Sequence, residues 1–184
     1  MEKIPLKLEE AIRKELNAGE MVSWKGQPIP WRVVLPSFLL YLFFVPWTAF
    51  SVFWIFGIME QEGPGSFFPL FGIPFLLIGL VMLSSPIWTH FKAKNTVYVI
   101  TSTRAFILVK FNGTKITNFF AENLVNWEKT VAKDGSGNLL LKREYYKDGD
   151  GDTQIKKLGF YAIKDVNKVE SYIEKLSSSK RSAR

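Results

Sequence analysis

The segment VYVITSTRAFILVKFNGTK, residues 97–115, decides how the second half of the chain folds. It is rich in β-branched and aromatic residues, and two turn signals, Ser102-Thr103 and Asn112-Gly113, interrupt it. An Asn-Gly pair tolerates positive φ at both central positions of a tight turn and is typical of a β-hairpin. The segment and the residues after it therefore predict three antiparallel strands: Val97–Thr101, Arg104–Phe111 and Thr114–Phe120.

Two long uncharged stretches precede this segment. No charged residue occurs from Val33 to Met59 or from Gly63 to Thr89. Each stretch exceeds the ~20 residues that an α-helix needs to cross a hydrocarbon core. With Glu60-Gln61-Glu62 as a short connection, they predict a transmembrane helical hairpin with spans at about residues 33–59 and 65–89. The alternative is a pair of buried helices in a soluble protein, which is disfavoured because so short a chain rarely buries runs so long and aromatic.

Basic residues flank the hairpin on one side only. Arg32 precedes the first span, Lys92 and Lys94 follow the second, and the connection carries only glutamates among its charged residues. Because basic loops stay in the cytoplasm, we expect an integral protein of the cell membrane with two spans and both termini cytoplasmic. The first thirty residues do not resemble a cleavable signal peptide. Tryptophans often lie at headgroup level, so three are predicted to be interfacial anchors: Trp24, Trp31 and Trp88.

Helical periodicity appears at both ends of the chain. Residues 5–18 place Leu8 and Ile12 on one face of a short helix, and packing on the soluble domain is the favoured interpretation. Near the C-terminus, four residues recur at helical spacing: Val166, Val169, Ile173 and Leu176. The polar tail, residues 178–184, is expected to be disordered.

The region between the hairpin and the last helix predicts a small antiparallel barrel. Strand-like segments and glycine turns alternate through residues 95–161 and give about six strands. The fold class is therefore α+β, with a transmembrane hairpin followed by a β-barrel that a C-terminal helix caps. The expected parts are a cytoplasmic lead-in at 1–30, the hairpin at 31–91, the barrel domain at 94–177 and the basic tail at 178–184.

Several segments, in this order, resemble the bacterial pleckstrin-homology (PH) membrane proteins, a group formerly classed as a domain of unknown function. The similar segments are GEMVSWKGQP at 19–28, YVITSTRAFIL at 98–108, DGSGNLLL at 134–141 and FYAIKDVNKVESYI at 160–173. The resemblance implies a PH-like barrel beside a two-helix anchor, without enzymatic activity. A PH barrel has seven strands, so either one strand is wrongly divided or another comes from elsewhere, with Met21–Trp24 as a candidate.

Two groups of residues are candidate functional surfaces. Lys92, Lys94 and Arg104 are predicted to lie near anionic headgroups, although the two lysines would also serve simply to set the topology. Residues 105–109 are all apolar, whereas a strand with one wet face should alternate. The outer face of this hairpin, marked by Tyr98, Phe106 and Leu108, is therefore expected to pack against something. The N-terminal helix is favoured over the lipid surface or another protomer.

Sequence patterns for catalysis and metal binding are weak. The single histidine is His90 and the chain has no cysteine, so neither a histidine-based triad nor a cysteine metal site is predicted in the barrel. KDGDGDT, residues 147–153, places acids at alternate positions, but Thr153 and Gly159 stand where a calcium loop needs Gly and Glu. We expect no cofactor, no catalytic or metal site, no nucleic acid partner and no small-molecule substrate.

The function expected from these features is a membrane-anchored, non-enzymatic interaction module. It would recruit or assemble proteins at the cytoplasmic membrane surface, with membrane lipids and a protein partner, or a second copy, as its partners. The alternative is a module that binds an anionic lipid surface. A small oligomeric transporter or channel subunit is a distant third, because no charged side chain lies mid-membrane.

Overall fold

The computed structural model describes residues 4–62 and 67–181, and these contain five α-helices and seven β-strands. The helices are α1 (Leu6–Glu15), α2 (Pro30–Val34), α3 (Leu39–Glu62), α4 (Gly72–Lys94) and α5 (Val166–Arg181). The strands are β1 (Val22–Gly26), β2 (Thr96–Thr101), β3 (Arg104–Lys110), β4 (Thr114–Phe120), β5 (Glu128–Val131), β6 (Gly137–Lys147) and β7 (Thr153–Ile163). The chain forms two compact units, one from residues 1–33 with 92–184 and one from residues 34–91.

Two helical stretches are long and apolar enough to cross a membrane. They run over Pro30–Gln61 and Phe68–Lys94, and few residues of their most apolar windows are buried. The predicted connection Glu60-Gln61-Glu62 is instead the last turn of α3, because the helix runs on through it. The residues that follow, 63–66, lie outside the described part of the chain.

Small residues let α3 and α4 approach each other closely within the second unit. A Cβ at Gly72 would overlap Ile55, and a Cβ at Gly79 would overlap Thr48. The indole Nε1 of Trp47 also donates a hydrogen bond to the carbonyl of Phe75 at 3.1 Å. The seven-residue spacing of the two glycines therefore marks an interface inside the hairpin.

The first unit contains a four-stranded antiparallel sheet in the order β1-β2-β3-β4. β1 pairs with β2 although some seventy residues separate them, with Lys25 opposite Val99 and Gly26 opposite Tyr98. The strand that the sequence left unassigned is therefore Val22–Gly26, which overlaps the candidate Met21–Trp24. The predicted Asn-Gly turn is present between β3 and β4, with positive φ at Asn112 and Gly113.

The other three strands form a second antiparallel sheet, β5-β6-β7, and the two sheets are not closed into a barrel. The barrel prediction is therefore corrected. The chain leaves β4 through a short 3-10 turn, Ala121–Asn123, and β5 has only four residues. α5 packs at this opening, where the Ser177 hydroxyl donates to the Leu124 carbonyl at 2.9 Å. Helix packing covers the gap that strand pairing leaves open.

Both faces of the β2–β3 hairpin are buried, each in a different hydrophobic cluster. The inner face, with Tyr98 and Ile100, packs in the core that α5 covers. The four predicted α5 residues, Val166, Val169, Ile173 and Leu176, all lie in this core. The outer face packs against α1 and the residues before it, through Ile4, Leu8 and Ile12. The expectation that the N-terminal helix covers the apolar hairpin is confirmed, and it explains why residues 105–109 do not alternate.

Candidate functional site

Arg104 is a buried structural residue, contrary to its predicted place near lipid headgroups. Its side chain is only 7% exposed and forms ion pairs with Glu20 at 3.0 Å and Glu15 at 3.1 Å. The guanidinium also donates to the Glu15 carbonyl at 2.7 Å and to Asn118 Oδ1 at 2.9 Å. Arg104 therefore joins the end of α1, the segment before β1, and β4, and it is removed from the candidate lipid surface.

The electrostatic consequence of this network is clearest at Glu20. Burial alone would raise the pKa of this carboxyl, but hydrogen bonds from Arg104, from the Asn17 amide and from Thr101 outweigh burial and lower the pKa from 4.5 to about 2. The same hydrogen bond, together with Glu15, raises the pKa of Arg104. Glu20 is thus ionised throughout the physiological range and holds the guanidinium in place.

The predicted packing face is divided between two environments. Phe106 and Leu108 face α1 in the outer cluster, whereas Tyr98 points into the inner core. The Tyr98 ring stacks on Phe160 with centroids 4.6 Å apart, and its hydroxyl both donates to and accepts from the backbone of Tyr161. Burial raises the pKa of Tyr98 to about 12. The three residues therefore do not form one exposed interaction surface.

The three predicted interfacial tryptophans occupy different positions. Trp24 lies in β1, is half-buried against the inner core, and stacks on Phe160 at a centroid distance of 6.1 Å. A Cβ at Gly26 would overlap the Trp24 indole, so this glycine makes room for the ring. Trp24 is therefore a core-packing residue, and its assignment as an anchor is corrected. Trp31 and Trp88 are exposed in α2 and α4.

Lys92 and Lys94 are exposed in the last turn of α4. One residue, Asn95, separates the end of α4 from the start of β2. The Lys94 carbonyl accepts a hydrogen bond from the Gln27 side chain at 2.8 Å, which fixes the entry to β2 beside the end of β1. Of the predicted lipid-proximal residues, these two lysines remain exposed.

The first unit contains a cleft that the sequence did not indicate. We call it the α1–β1–α5 cleft, because α1, β1 and α5 with the turn before it supply its walls; its volume is about 710 Å³. Apolar lining residues include Ile12, Leu16, Val22, Trp24, Val169 and Tyr172. Charged lining residues are Glu9, Arg13, Lys25, Lys164, Asp165 and Lys168. The lining of the cleft therefore mixes apolar and charged side chains.

The two acids of the cleft already have partners. The Glu9 carboxylate lies 2.5 Å from the Lys25 ammonium, and this hydrogen bond is the main reason why the pKa of Glu9 is lowered. Asp165 accepts a hydrogen bond from the Lys168 amide at 3.1 Å and so caps the first turn of α5. Lys25 neutralises Glu9, so Arg13, Lys164 and Lys168 against Asp165 leave the cleft with a net positive charge, which we call its positive rim.

A second exposed surface extends from the three-stranded sheet. β5 pairs with β6 only as far as Leu140, so residues 142–147 and 153–158 continue as a two-stranded arm, which we call the β6–β7 ribbon. One face of the ribbon presents two exposed apolar side chains, Tyr145 and Ile155, which are opposite each other. The same face carries three cations: Arg143, Lys147 and Lys157. Arg143 is paired with Glu128 on β5.

The acidic loop at the tip of the ribbon is organised by its own hydrogen bonds. The Asp148 carboxylate accepts from the amides of Asp150 and Asp152 and from the Gln154 side chain. These bonds lower the pKa of Asp148, with the Gln154 bond contributing most. In the described residues, no group of three or more metal-binding side chains is placed to hold an ion. The geometry is that of a turn stabilised by an aspartate side chain.

The chain has a distant likeness to a protein of known structure. No protein-family model matches the chain, and no curated protein matches it significantly. Among solved structures, it is similar to a DUF1696-family protein with a pleckstrin-homology domain from Shewanella loihica PV-4, at 19% identity and a TM-score of 0.30. The match covers 45% of this chain and 70% of that chain. A likeness this distant assigns the chain to no family.

Proposed function

We propose that the chain is a membrane-anchored, non-enzymatic, PH-like interaction module that recruits or assembles proteins at the cytoplasmic face of the cell membrane. The α1–β1–α5 cleft carries this proposal, because it is a concave, mixed apolar and charged site on a unit that two long apolar helices interrupt in sequence. The PH-like part is supported by the sequence resemblance and by seven strands in two antiparallel sheets with a C-terminal helix.

Membrane insertion is supported by the side chains that the two apolar helical stretches, Pro30–Gln61 and Phe68–Lys94, leave uncovered. Leu42, Phe53 and Phe71 are each more than 70% exposed. A soluble protein rarely exposes so large a contiguous apolar surface, whereas a lipid environment would cover it. The basic residues at Arg32, Lys92 and Lys94 favour cytoplasmic termini.

The non-enzymatic part is supported by the chemistry of the cleft. Its hydroxyl-bearing residues are Ser23 and Tyr172, and no histidine lies among the described lining residues. Its two carboxylates are engaged in an ion pair and in a helix cap. A nucleophile with an adjacent general base, which covalent catalysis requires, is not assembled there.

Cysteine labelling tests the anchor, because the chain contains no native cysteine. Gln61→Cys should react in intact cells with a maleimide that does not cross membranes. Thr114→Cys, on the exposed end of β4, should react only after the cells are permeabilised. Labelling of Thr114→Cys in intact cells, or protection of Gln61→Cys, would contradict the proposed topology.

Photo-crosslinking tests recruitment. A photoreactive amino acid at Ser23, in the cleft, should give discrete protein adducts in native membranes. The matched control is Thr114, on the opposite edge strand of the same sheet. If no adducts formed at Ser23, at Thr114 or at any other exposed position of this unit, a recruiting role would be contradicted.

The β6–β7 ribbon favours a second candidate function, an anionic-lipid-surface module. Its exposed Tyr145 and Ile155 lie among cations, a composition suited to a headgroup layer. A fluorophore sensitive to its environment, placed at Ile155→Cys of the reconstituted chain, should report a less polar setting in anionic than in neutral vesicles. High salt should reverse the change. Identical spectra in the two lipids would reject this alternative, and Thr130→Cys on exposed β5 serves as the control.

A further inference from the structure

We propose that the α1–β1–α5 cleft binds an extended acidic segment of a partner protein, which adds as a strand to the outer edge of β1. This inference rests on the recruiting function proposed above and specifies where the partner docks and what chemistry it has. Three observations carry it: an edge strand that lines the cleft, an apolar lining, and a positive rim.

The edge of β1 provides the backbone recognition. β1 is the terminal strand of the four-stranded sheet, and in the described part of the chain it pairs with β2 as its one neighbouring strand. Four of its five residues, Val22 to Lys25, line the cleft. An outer strand presents backbone donors and acceptors to which an extended peptide can bind, and side-chain pockets beside the edge then give specificity.

The cleft lining sets the side-chain pattern of the bound segment. Side chains of an extended chain alternate between two faces, so every second residue would point toward the apolar lining formed by Leu16, Trp24 and Tyr172. Trp24 and Tyr172 are half-buried, which leaves part of each residue available for contact. Apolar residues at alternate positions are therefore expected in the segment.

The rim sets the charge of the segment. Arg13 and Lys168 are exposed on opposite walls, in α1 and α5, whereas the acids Glu9 and Asp165 are held by Lys25 and by the first turn of α5. An acidic segment would therefore meet a positive field from both walls, which favours its binding and its rate of association. A basic segment would be repelled.

Charge disfavours one other occupant of the cleft, and the β1 edge disfavours a second. The last residues of the chain include Lys180 and Arg181, which end α5, and Arg184, and the positive rim would repel all three. A single anionic lipid would match the rim and the apolar lining but would leave the peptide groups of the β1 edge unused. The sheet edge is the feature that selects a polypeptide.

Peptide binding to the full chain in nanodiscs of neutral lipid tests the inference. The probe is a fluorescent peptide of about six residues that alternates Glu and Val. There are two comparison peptides. One has Lys in place of each Glu, and the other is the Glu-Val peptide with N-methyl groups on the backbone amides along one edge. We expect the Glu-Val probe to bind, the Lys-Val peptide not to bind, and N-methylation of one edge to abolish binding.

Charge reversal in the cleft adds a matched pair of variants. Arg13→Glu with Lys168→Glu should weaken binding of the Glu-Val probe about tenfold, because two rim ion pairs are lost and replaced by repulsion. Lys115→Glu, on the exposed edge strand β4, should leave it unchanged. Circular dichroism of each variant would verify that the fold is intact.

The possible outcomes separate this inference from the recruiting function. Equal binding of the Glu-Val and Lys-Val peptides, or equal losses in the cleft variant and Lys115→Glu, would overturn the inference. Displacement of the probe by anionic vesicles but not by excess unlabelled peptide would assign the cleft to lipid instead. If the Glu-Val probe does not bind but crosslinks form at other exposed positions, this inference is overturned. The recruiting function then stands, with its docking site elsewhere.

Discussion

Arg104 and Glu20 are 84 positions apart in the chain and form an ion pair with Nε 3.0 Å from Oε1. The two side chains are only 7% and 2% exposed. The pair links the segment that precedes the apolar helices to the strand that follows them, so each part of the folded unit requires the other. A buried ion pair of this kind is strongly destabilising when one partner is removed, because the other charge remains unpaired.

We therefore expect Arg104→Ala to destabilise the unit by about 3–5 kcal/mol, since it leaves Glu20 buried without its cation. The double variant Arg104→Met with Glu20→Gln should lose much less stability, because it removes both charges and keeps side chains of similar volume. Urea unfolding of the purified chain, followed by the circular dichroism of the sheet, would measure both. If the double variant loses as much as Arg104→Ala, the unpaired charge is not the cause.

Acid should weaken this ion pair in a defined range of pH. The pKa of Glu20 is lowered from 4.5 to about 2 in the folded state, so its contribution to stability is fully present above the higher value and is lost as the pH falls toward the lower. A difference of that size corresponds to about 3 kcal/mol at pH 7, and about half should be lost between pH 5 and pH 3. Comparing the free energy of unfolding of the wild type with that of Glu20→Gln at several pH values isolates the contribution of the Glu20 carboxyl. A stability difference that does not change with pH would contradict it.

Sequence reasoning identified the local features of the fold and, among the long-range ones, the packing of the N-terminal helix on the apolar hairpin. The Asn112-Gly113 turn, the strand Thr114–Phe120 and the buried face of α5 were predicted, because each depends on residues close together in the chain. The Arg104 partners were missed because Glu15 and Glu20 lie across the two long apolar helices. One signal was available: an arginine that opens a continuous apolar strand needs an acid nearby.

The same limitation explains the other corrections. Trp24 was expected at a membrane interface because it lies before an apolar stretch. Instead, the chain returns after the apolar helices as β2, which pairs with β1, and the Trp24 ring stacks on Phe160. The cleft could not be foreseen because its walls come from α1, β1 and α5, at opposite ends of the chain. The barrel prediction overlooked the helix packing that takes the place of strand pairing between β4 and β5.

The docking of α1 on the sheet should depend on Leu8. Its side chain is 1% exposed and packs with Phe106 and Leu108 on the outer face of β3. Leu8→Ala should cost about 2–5 kcal/mol through lost burial and the cavity left behind. Hydrogen exchange of the α1 amides would report the loss. Leu6→Ala, in the same helix at a position that is 78% exposed, is the control and should have little effect.

Gly79 should be required for the close approach of α3 and α4. A side chain at Gly79 would overlap Thr48, whereas nothing lies within 4 Å of a Cβ placed at Gly57. We expect Gly79→Leu to destabilise the hairpin by about 1–3 kcal/mol and Gly57→Leu to be nearly neutral. Unfolding by sodium dodecyl sulfate in mixed micelles would compare them. Equal effects would show that the glycine spacing is unrelated to helix packing.

The folded unit should require residues on both sides of the apolar helices. A fragment that begins at Lys94 lacks β1, α1 and both acids that pair with Arg104, so it exposes the outer cluster and leaves a buried cation unpaired. Residues 1–29 joined to 92–184 by a short Gly-Ser linker restore these parts. The linker needs little length, because the Gln27 side chain already contacts the Lys94 carbonyl at 2.8 Å. In NMR spectra, we expect well-dispersed amide resonances from the joined protein and poorly dispersed amide resonances from the fragment. A well-folded fragment would mean that the N-terminal segment is dispensable for this fold.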